Sequence, residues 1–134
     1  MKKSVIMYSA TIVIFLTCLI SCAKEISLES LREGKYLCSG DYYSRCRSCI
    51  PQDTQYSYKD AIGLISFKGD SVVFENYYTM WKVNNDSFVY DIGPGYPGIY
   101  YGIDFFGNDS FHFRYYQFVQ AFSKERNSYC KKIK

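Results

Sequence analysis

The sequence predicts an all-β domain, an antiparallel meander of about eight strands closed into a barrel. Three observations carry this reading. From Gly34 onward the composition turns to Tyr, Phe, Val and Ile interrupted by Gly, Asn and Asp, the pattern of short strands joined by tight turns. Apolar residues alternate in these runs: over 61–68, Gly63, Ile65 and Phe67 fall on one side, and Ile62, Leu64, Ser66 and Lys68 on the other. A turn followed by Asp-Ser and a hydrophobic strand recurs at Asp70-Ser71, Asp86-Ser87 and Asp109-Ser110. The spacings of 16 and 23 residues are unequal, which describes a recurring hairpin rather than a solenoid repeat.

In chain order, residues 23–33 are the only stretch with helical character, and they read as a tether or one short helical turn. Strands are expected near 35–43, 54–59, 61–68, 71–78, 80–84, 87–91, 99–106 and 110–118, with a ninth candidate at 128–133. Gly93-Pro94-Gly95-Tyr96-Pro97-Gly98 is a loop, because two prolines and three glycines in six residues do not continue a strand. The final strand is expected to run from Gln120 or Ala121 through Cys130 to Ile133, with a break near Glu125 to Asn127 left open. A meander of this length has two exposed edges, and pairing the first strand with the last removes both. That closure puts Cys38 beside Cys130, where a disulfide would lock the seam. A two-sheet sandwich is the alternative.

The first 21 residues stand apart. Met1-Lys2-Lys3 is basic, and from Val5 to Ile20 the chain carries no charge. This is a signal-peptide layout, with an apolar run shorter than the roughly 20 residues of a spanning helix. Leu19-Ile20-Ser21-Cys22 resembles the lipobox of bacterial lipoprotein precursors. Cys18 fails the same test, because Thr17 is a poor residue before a modified cysteine. The resemblance implies a signal peptide at 1–21, a diacylglyceryl group on Cys22, a lipidated tether at 22–33 and a barrel domain at 34–134. It further implies a chain anchored to a lipid bilayer of the cell envelope, with the outer membrane favoured because Ala23 is not the Asp that signals inner-membrane retention. The face of that membrane stays open.

Composition bounds the partners. The 134 residues hold 16 Lys and Arg against 13 Asp and Glu, and losing residues 1–21 lowers the net charge from +3 to +1. No nucleic-acid partner is implied by so small a charge. Of six cysteines, Cys18 leaves with the signal and Cys22 takes the lipid. Cys38, Cys46, Cys49 and Cys130 remain as an even set in an exported chain, read as two disulfides with three pairings open. Cys38 with Cys130 and Cys46 with Cys49 is favoured on topology. The C-x-x-C at Cys46 and Cys49 also admits redox or metal chemistry, but no strand-to-helix pattern follows it and further thiols are distant. No cofactor or metal is expected.

Gly34-Lys35-Tyr36 opens the first strand after an irregular lead-in. This looks like the small lipocalin-like (calycin-type) lipoproteins of bacteria, whose first strand often begins Gly-x-Trp; here Tyr36 stands at the Trp position. The resemblance implies a cup for a small apolar molecule, or a closed barrel used as an interaction surface.

No catalytic set is legible, so an enzyme is not expected. The single His112 has no partner visible in the sequence, and its strand alternation places it with Arg114 facing solvent, opposite Phe111 and Phe113. Nothing brings two of Glu75, Asp91 and Asp104 together as an acid and base pair. The turn residues Asp70, Asp86 and Asp109 read as caps for their own backbone and not as calcium ligands. The oddity is aromatic: 19% of the chain, with Tyr doublets at 42–43, 77–78, 100–101 and 115–116. Strand geometry sends one ring of each doublet inward and one outward. The outward or rim rings Tyr77, Trp81, Tyr96, Tyr100 and Tyr116 are the candidate binding surface, against the plainer reading of cross-strand packing. Two functions follow: a binder of a small apolar ligand, or an inhibitor or accessory subunit that engages an envelope protein through the Tyr-rich surface. Gly63 and Gly102 are expected to leave interior room. The phenylalanines Phe67, Phe74, Phe105, Phe111 and Phe113 are expected to fill it, which tips the balance toward interaction.

Overall fold

The computed structural model describes residues 26–47, 53–92 and 98–134. One short helix, α1 (Leu28–Arg32), precedes eight strands: β1 (Gly34–Cys46), β2 (Asp53–Lys68), β3 (Ser71–Phe74), β4 (Tyr78–Lys82), β5 (Ser87–Asp91), β6 (Gly98–Phe105), β7 (Ser110–Val119) and β8 (Phe122–Lys132). Each strand pairs antiparallel with the next, and β1 pairs with β8, so the sheet is a closed barrel. Closure satisfies the backbone of both would-be edge strands. The sandwich alternative is thereby excluded.

The element boundaries differ from expectation at two places. The two strands expected at 54–59 and 61–68 are one long β2, which continues through a bulge where Asp60 takes a positive φ and the β1 register shifts between Cys38 and Gly40. The strand expected over 71–78 stops at Phe74. There Glu75 and Asn76 both adopt left-handed φ angles, and the Tyr77 N–H donates to the Phe74 carbonyl. No glycine marks this turn. The last strand has the expected span and runs unbroken through Glu125 to Asn127, pairing on both flanks with β1 and β7. Within 23–33, residues 28–32 form the short helical turn, one of the two expected outcomes, docked on the barrel, with Ser27 capping α1 by accepting from the Ser30 N–H.

Alternation decides the interior. Tyr36, Cys38, Ile65, Val72, Phe74, Met80, Phe88, Ile103, Phe105, Phe111, Phe113 and Cys130 form the buried core. Rings dominate it: Phe74 packs on Phe111 at 5.4 Å and on Phe113 at 4.8 Å, and Tyr36 meets Phe111 at 4.8 Å. Gly63 does not open space. A Cβ there would lie 2.5 Å from the Phe74 ring, so the missing side chain is the room that Phe74 fills. Gly102 lies on the outer face beneath Tyr100, between inward Tyr101 and Ile103.

The end of the barrel next to α1 is shut by Arg32, which is only 3% exposed. Its Nε donates to the Gly107 carbonyl at 3.0 Å, its Nη1 to the Asn85 carbonyl at 2.5 Å and its Nη2 to Asp86 at 2.5 Å. Its guanidinium also covers the Phe105 ring at 4.5 Å, and the Tyr36 hydroxyl donates to the Arg32 carbonyl. One side chain thus ties the helix to the β4–β5 and β6–β7 turns.

Cys38 and Cys130 face each other in the β1–β8 register and are disulfide-bonded across 92 residues of chain. Cys46 is also in a disulfide; Cys49, its expected partner, lies outside the described residues, as do Cys22 and the lipobox. A link spanning that much chain restricts the unfolded state strongly, by about 4 to 5 kcal/mol on chain entropy alone. Replacing Cys38 and Cys130 together by Ala is expected to lower stability by about 2 to 5 kcal/mol. Urea unfolding checks it, and an unchanged midpoint in the double variant would show that the seam holds without its bridge.

Candidate functional site

The core fills the lumen only from the α1 end to its middle. Beyond Phe74 and Phe113 the inward positions of β7, β8, β1 and β2 form cross-strand rows. Phe113 pairs with Ser128 and Ser128 with Gly40; the next row is Tyr115, Arg126, Tyr42 and Tyr56; the row at the rim is Gln117, Lys124, Ser44 and Thr54. These rows bound an open cup of about 450 Å³ lined by Tyr42, Tyr56, Tyr58, Ala61, Tyr78, Tyr115, Lys124 and Arg126. The volume lies in the range of small-molecule sites.

Arg126 separates the filled half from the cup. Its Nη1 and Nη2 donate to the two carboxylate oxygens of Glu75 at 3.0 and 2.7 Å, and its Nε donates to the Tyr58 hydroxyl at 2.9 Å. The Tyr58 and Ser128 hydroxyls bond each other. The guanidinium also lies against the Phe113 ring at 5.4 Å and the Tyr58 ring at 5.3 Å. Burial works against its charge, but the hydrogen bonds it donates to Glu75 and Tyr58 outweigh that and keep the group firmly protonated. The ion pair explains the turn: a left-handed non-glycine residue costs of order 1 kcal/mol, and the bidentate bond holds Glu75 there.

Tyr78 is the cup's floor, with rings of Phe113, Tyr101 and Tyr115 at 5.0, 5.2 and 5.8 Å. Tyr42 and Tyr56 stack at 4.9 Å on one wall. Opposite them, the Tyr115 hydroxyl donates to Gln117 at 2.7 Å. Burial pushes the Tyr115 phenol up to about 12 and raises Tyr78 and Tyr101 as well. These groups therefore enter any chemistry as neutral hydroxyls and ring faces.

Each Tyr doublet divides as strand geometry requires, but the members that gather are the inward ones. Tyr42, Tyr78 and Tyr115 line the cup, and Tyr101 backs Tyr78. The expected surface set does not converge. Tyr77 projects at the rim with 79% exposure, beside Tyr78. Tyr100 and Tyr116 are cross-strand partners on the outer wall, with Arg114 near the Tyr100 ring. Trp81 is on another part of the wall, stacked on Tyr90 at 5.7 Å. Tyr96 lies outside the described residues.

The lone histidine is outward, as alternation predicts, yet it is not in open solvent. His112 stacks flat on Tyr129 at 4.3 Å and its Nε2 is buried. Burial first, and then Arg114, lowers its pKa, with Asp104 opposing. Asp104 is bound to Arg114 and Ser87, and Glu75 to Arg126, so these carboxylates hold separate structural posts. Among the described residues, no group of three or more His, Cys, Asp or Glu is placed to hold a metal ion.

Arg126 and Lys124 were legible in one respect: they share the strand parity of buried Cys130. Leaving a break open at Glu125 to Asn127 hid that signal. Comparison with known proteins adds no assignment: no family model, curated protein or solved structure matches this chain.

Two outcomes follow. Glu75→Gln is expected to destabilise the fold by about 2 to 4 kcal/mol, less than for a wholly buried pair, because side-chain exposures of 27% for Glu75 and 17% for Arg126 admit screening. Thermal unfolding measures it, and a variant as stable as the parent would show that Arg126 needs no partner. Alkali should also act through the phenols. Tyr36 and Tyr115 titrate near 12 when folded but from about 10 when unfolded, so their contribution to stability is complete below pH 10 and is lost as pH rises toward 12. Phenolate absorbance followed beside circular dichroism tests this; a folded barrel whose tyrosines all ionise near pH 10 would contradict it.

Proposed function

We propose that this chain is a bacterial envelope lipoprotein, anchored through acylated Cys22, whose barrel binds a small ligand without transforming it. The observation that carries the binding role is the cup: half the lumen is packed with phenylalanine, and the other half is an open chamber walled by tyrosine rings. Packing alone does not call for such a chamber, since inward residues of an eight-stranded barrel can fill it completely. Tyr77 at the rim, the Tyr100–Tyr116 pair on one part of the outer wall and Trp81 on another do not converge, which favours the cup over the alternative of an inhibitor or accessory subunit acting through a tyrosine surface.

The anchor and the cup are compatible in orientation. Ile26 begins the described chain beside α1, at the shut end of the barrel. Cys22 is four residues earlier, a reach of at most roughly 14 Å. Lipid on Cys22 would hold the Arg32 end toward the bilayer and turn the mouth away from it, open to an arriving ligand. Two acyl chains or more make such an anchor firm.

Cys22→Ser is expected to move the protein from the membrane fraction to the soluble one. A variant that still sediments wholly with membranes would remove the lipoprotein reading. For the cup, native mass spectrometry of protein taken from its own host is expected to show a bound small molecule lost from a Tyr115→Ala variant. A clean apo mass together with a stoichiometric protein partner would favour the accessory-subunit reading instead.

A further inference from the structure

Resting on the reading of the cup as a binding site, we infer that its ligand is a compact aromatic carboxylate, held with its ring among the tyrosines and its anionic group at Lys124. The charge in the cup is the first reason. Lys124 and Arg126 are the charged groups of its lining, and Arg126 is paired with both carboxylate oxygens of Glu75. Lys124 makes no ion pair among the described residues, and its ammonium lies over the Phe122 ring at 5.5 Å. The cup therefore carries one uncompensated positive charge, at a fixed height on its wall. Gln117 and Ser44 flank Lys124 in the same cross-strand row, so polar side chains stand on both sides of the place where an anion would sit. An ammonium offers a single point charge with three donors, which suits a carboxylate.

The shape of the chamber selects the rest of the molecule. Tyr42 and Tyr56 stack on one wall, Tyr115 stands on the other and Tyr78 lies below, all offering ring faces or edges. Flat aromatic bodies gain from offset and edge-to-face contact with such rings. A long acyl chain is disfavoured, because Phe74 and Phe113 close the lumen directly under the floor and leave no channel for it. A neutral sugar is disfavoured because it would leave the Lys124 charge in the cup without a counter-ion. What fits is short, flat and singly negative.

The test uses the full chain in a non-ionic detergent and three probes: naphthoate, the neutral naphthalenecarboxamide and the aliphatic anion decanoate. Binding is measured by calorimetry. Emission from Trp81, the single tryptophan, gives a second readout, because Trp81 stacks on Tyr90, Tyr90 on Tyr101, and Tyr101 packs on the floor residue Tyr78. Naphthoate is expected to bind tightest of the three. Lys124→Gln should weaken naphthoate about tenfold and leave the carboxamide unchanged, since one charge-assisted contact is lost. The same change at exposed Lys131 on the outer wall should alter neither. If the carboxamide binds as well as naphthoate, or loses as much in the Lys124 variant, the anion assignment falls while the cup reading stands. If decanoate equals naphthoate, the aromatic assignment falls. If none of the probes binds and native protein carries no ligand, the cup reading itself fails, and this inference with it.

Discussion

Closure of the sheet is the constraint on which everything else in this molecule depends. β1 pairs with β2 on one flank and β8 on the other, so every strand has two neighbours and alternation along each strand acquires an absolute meaning, inside or outside. The Cys38–Cys130 bridge sits within that seam, among core rings and not at a free edge. Once the seam is set, the inward positions of neighbouring strands stack into rows, and the content of each row decides whether the lumen at that height is packed or open. Phenylalanine rows pack. The rows of Tyr115, Arg126 and Tyr42, and of Gln117, Lys124 and Ser44, do not meet in the middle.

Two arginines manage the ends of the packed half. Arg32 shuts one end by donating to two turn carbonyls and to Asp86, and Arg126 bounds the other by pairing with Glu75 and Tyr58. A guanidinium in such a place is tolerated only when its donors are satisfied, since an unpaired buried charge is far costlier than the pair. Both are satisfied by groups on other elements, so each also acts as a tie: Arg32 joins the helix to two turns, and Arg126 joins β8 to the β3–β4 turn. The left-handed Glu75 belongs to the same arrangement. Its backbone is unfavourable by itself and is maintained by the partner across the lumen.

Much of the fold was legible because its signals are local. The turns at Gly69-Asp70, Asn84 to Asp86 and Gly107 to Asp109 are read from residues that accept positive φ or bond their own backbone, and the Asn84 side chain does cap Asp86 and Ser87. The turn at Glu75-Asn76 was not legible, because what stabilises it is Arg126, fifty-one residues away in sequence. Likewise the 61–68 alternation correctly marked Gly63, Ile65 and Phe67 as one face. Whether Gly63 meant space or close approach depended on the Phe74 ring from the neighbouring strand. The doublets show the same division: that one ring points in and one out follows from strand geometry, whereas which rings converge follows from register.

The sequence by itself determined an antiparallel meander of hairpins and the inward or outward sense of most residues, and favoured pairing the first strand with the last over a sandwich, since these rest on period-two alternation and on turn chemistry within a few residues. Only the tertiary structure decided that one half of the barrel is filled and the other is a tyrosine cup with a lysine at its rim. Free volume is not a property of any strand. It is what remains when side chains from several strands meet at one height, and no stretch of sequence holds that sum.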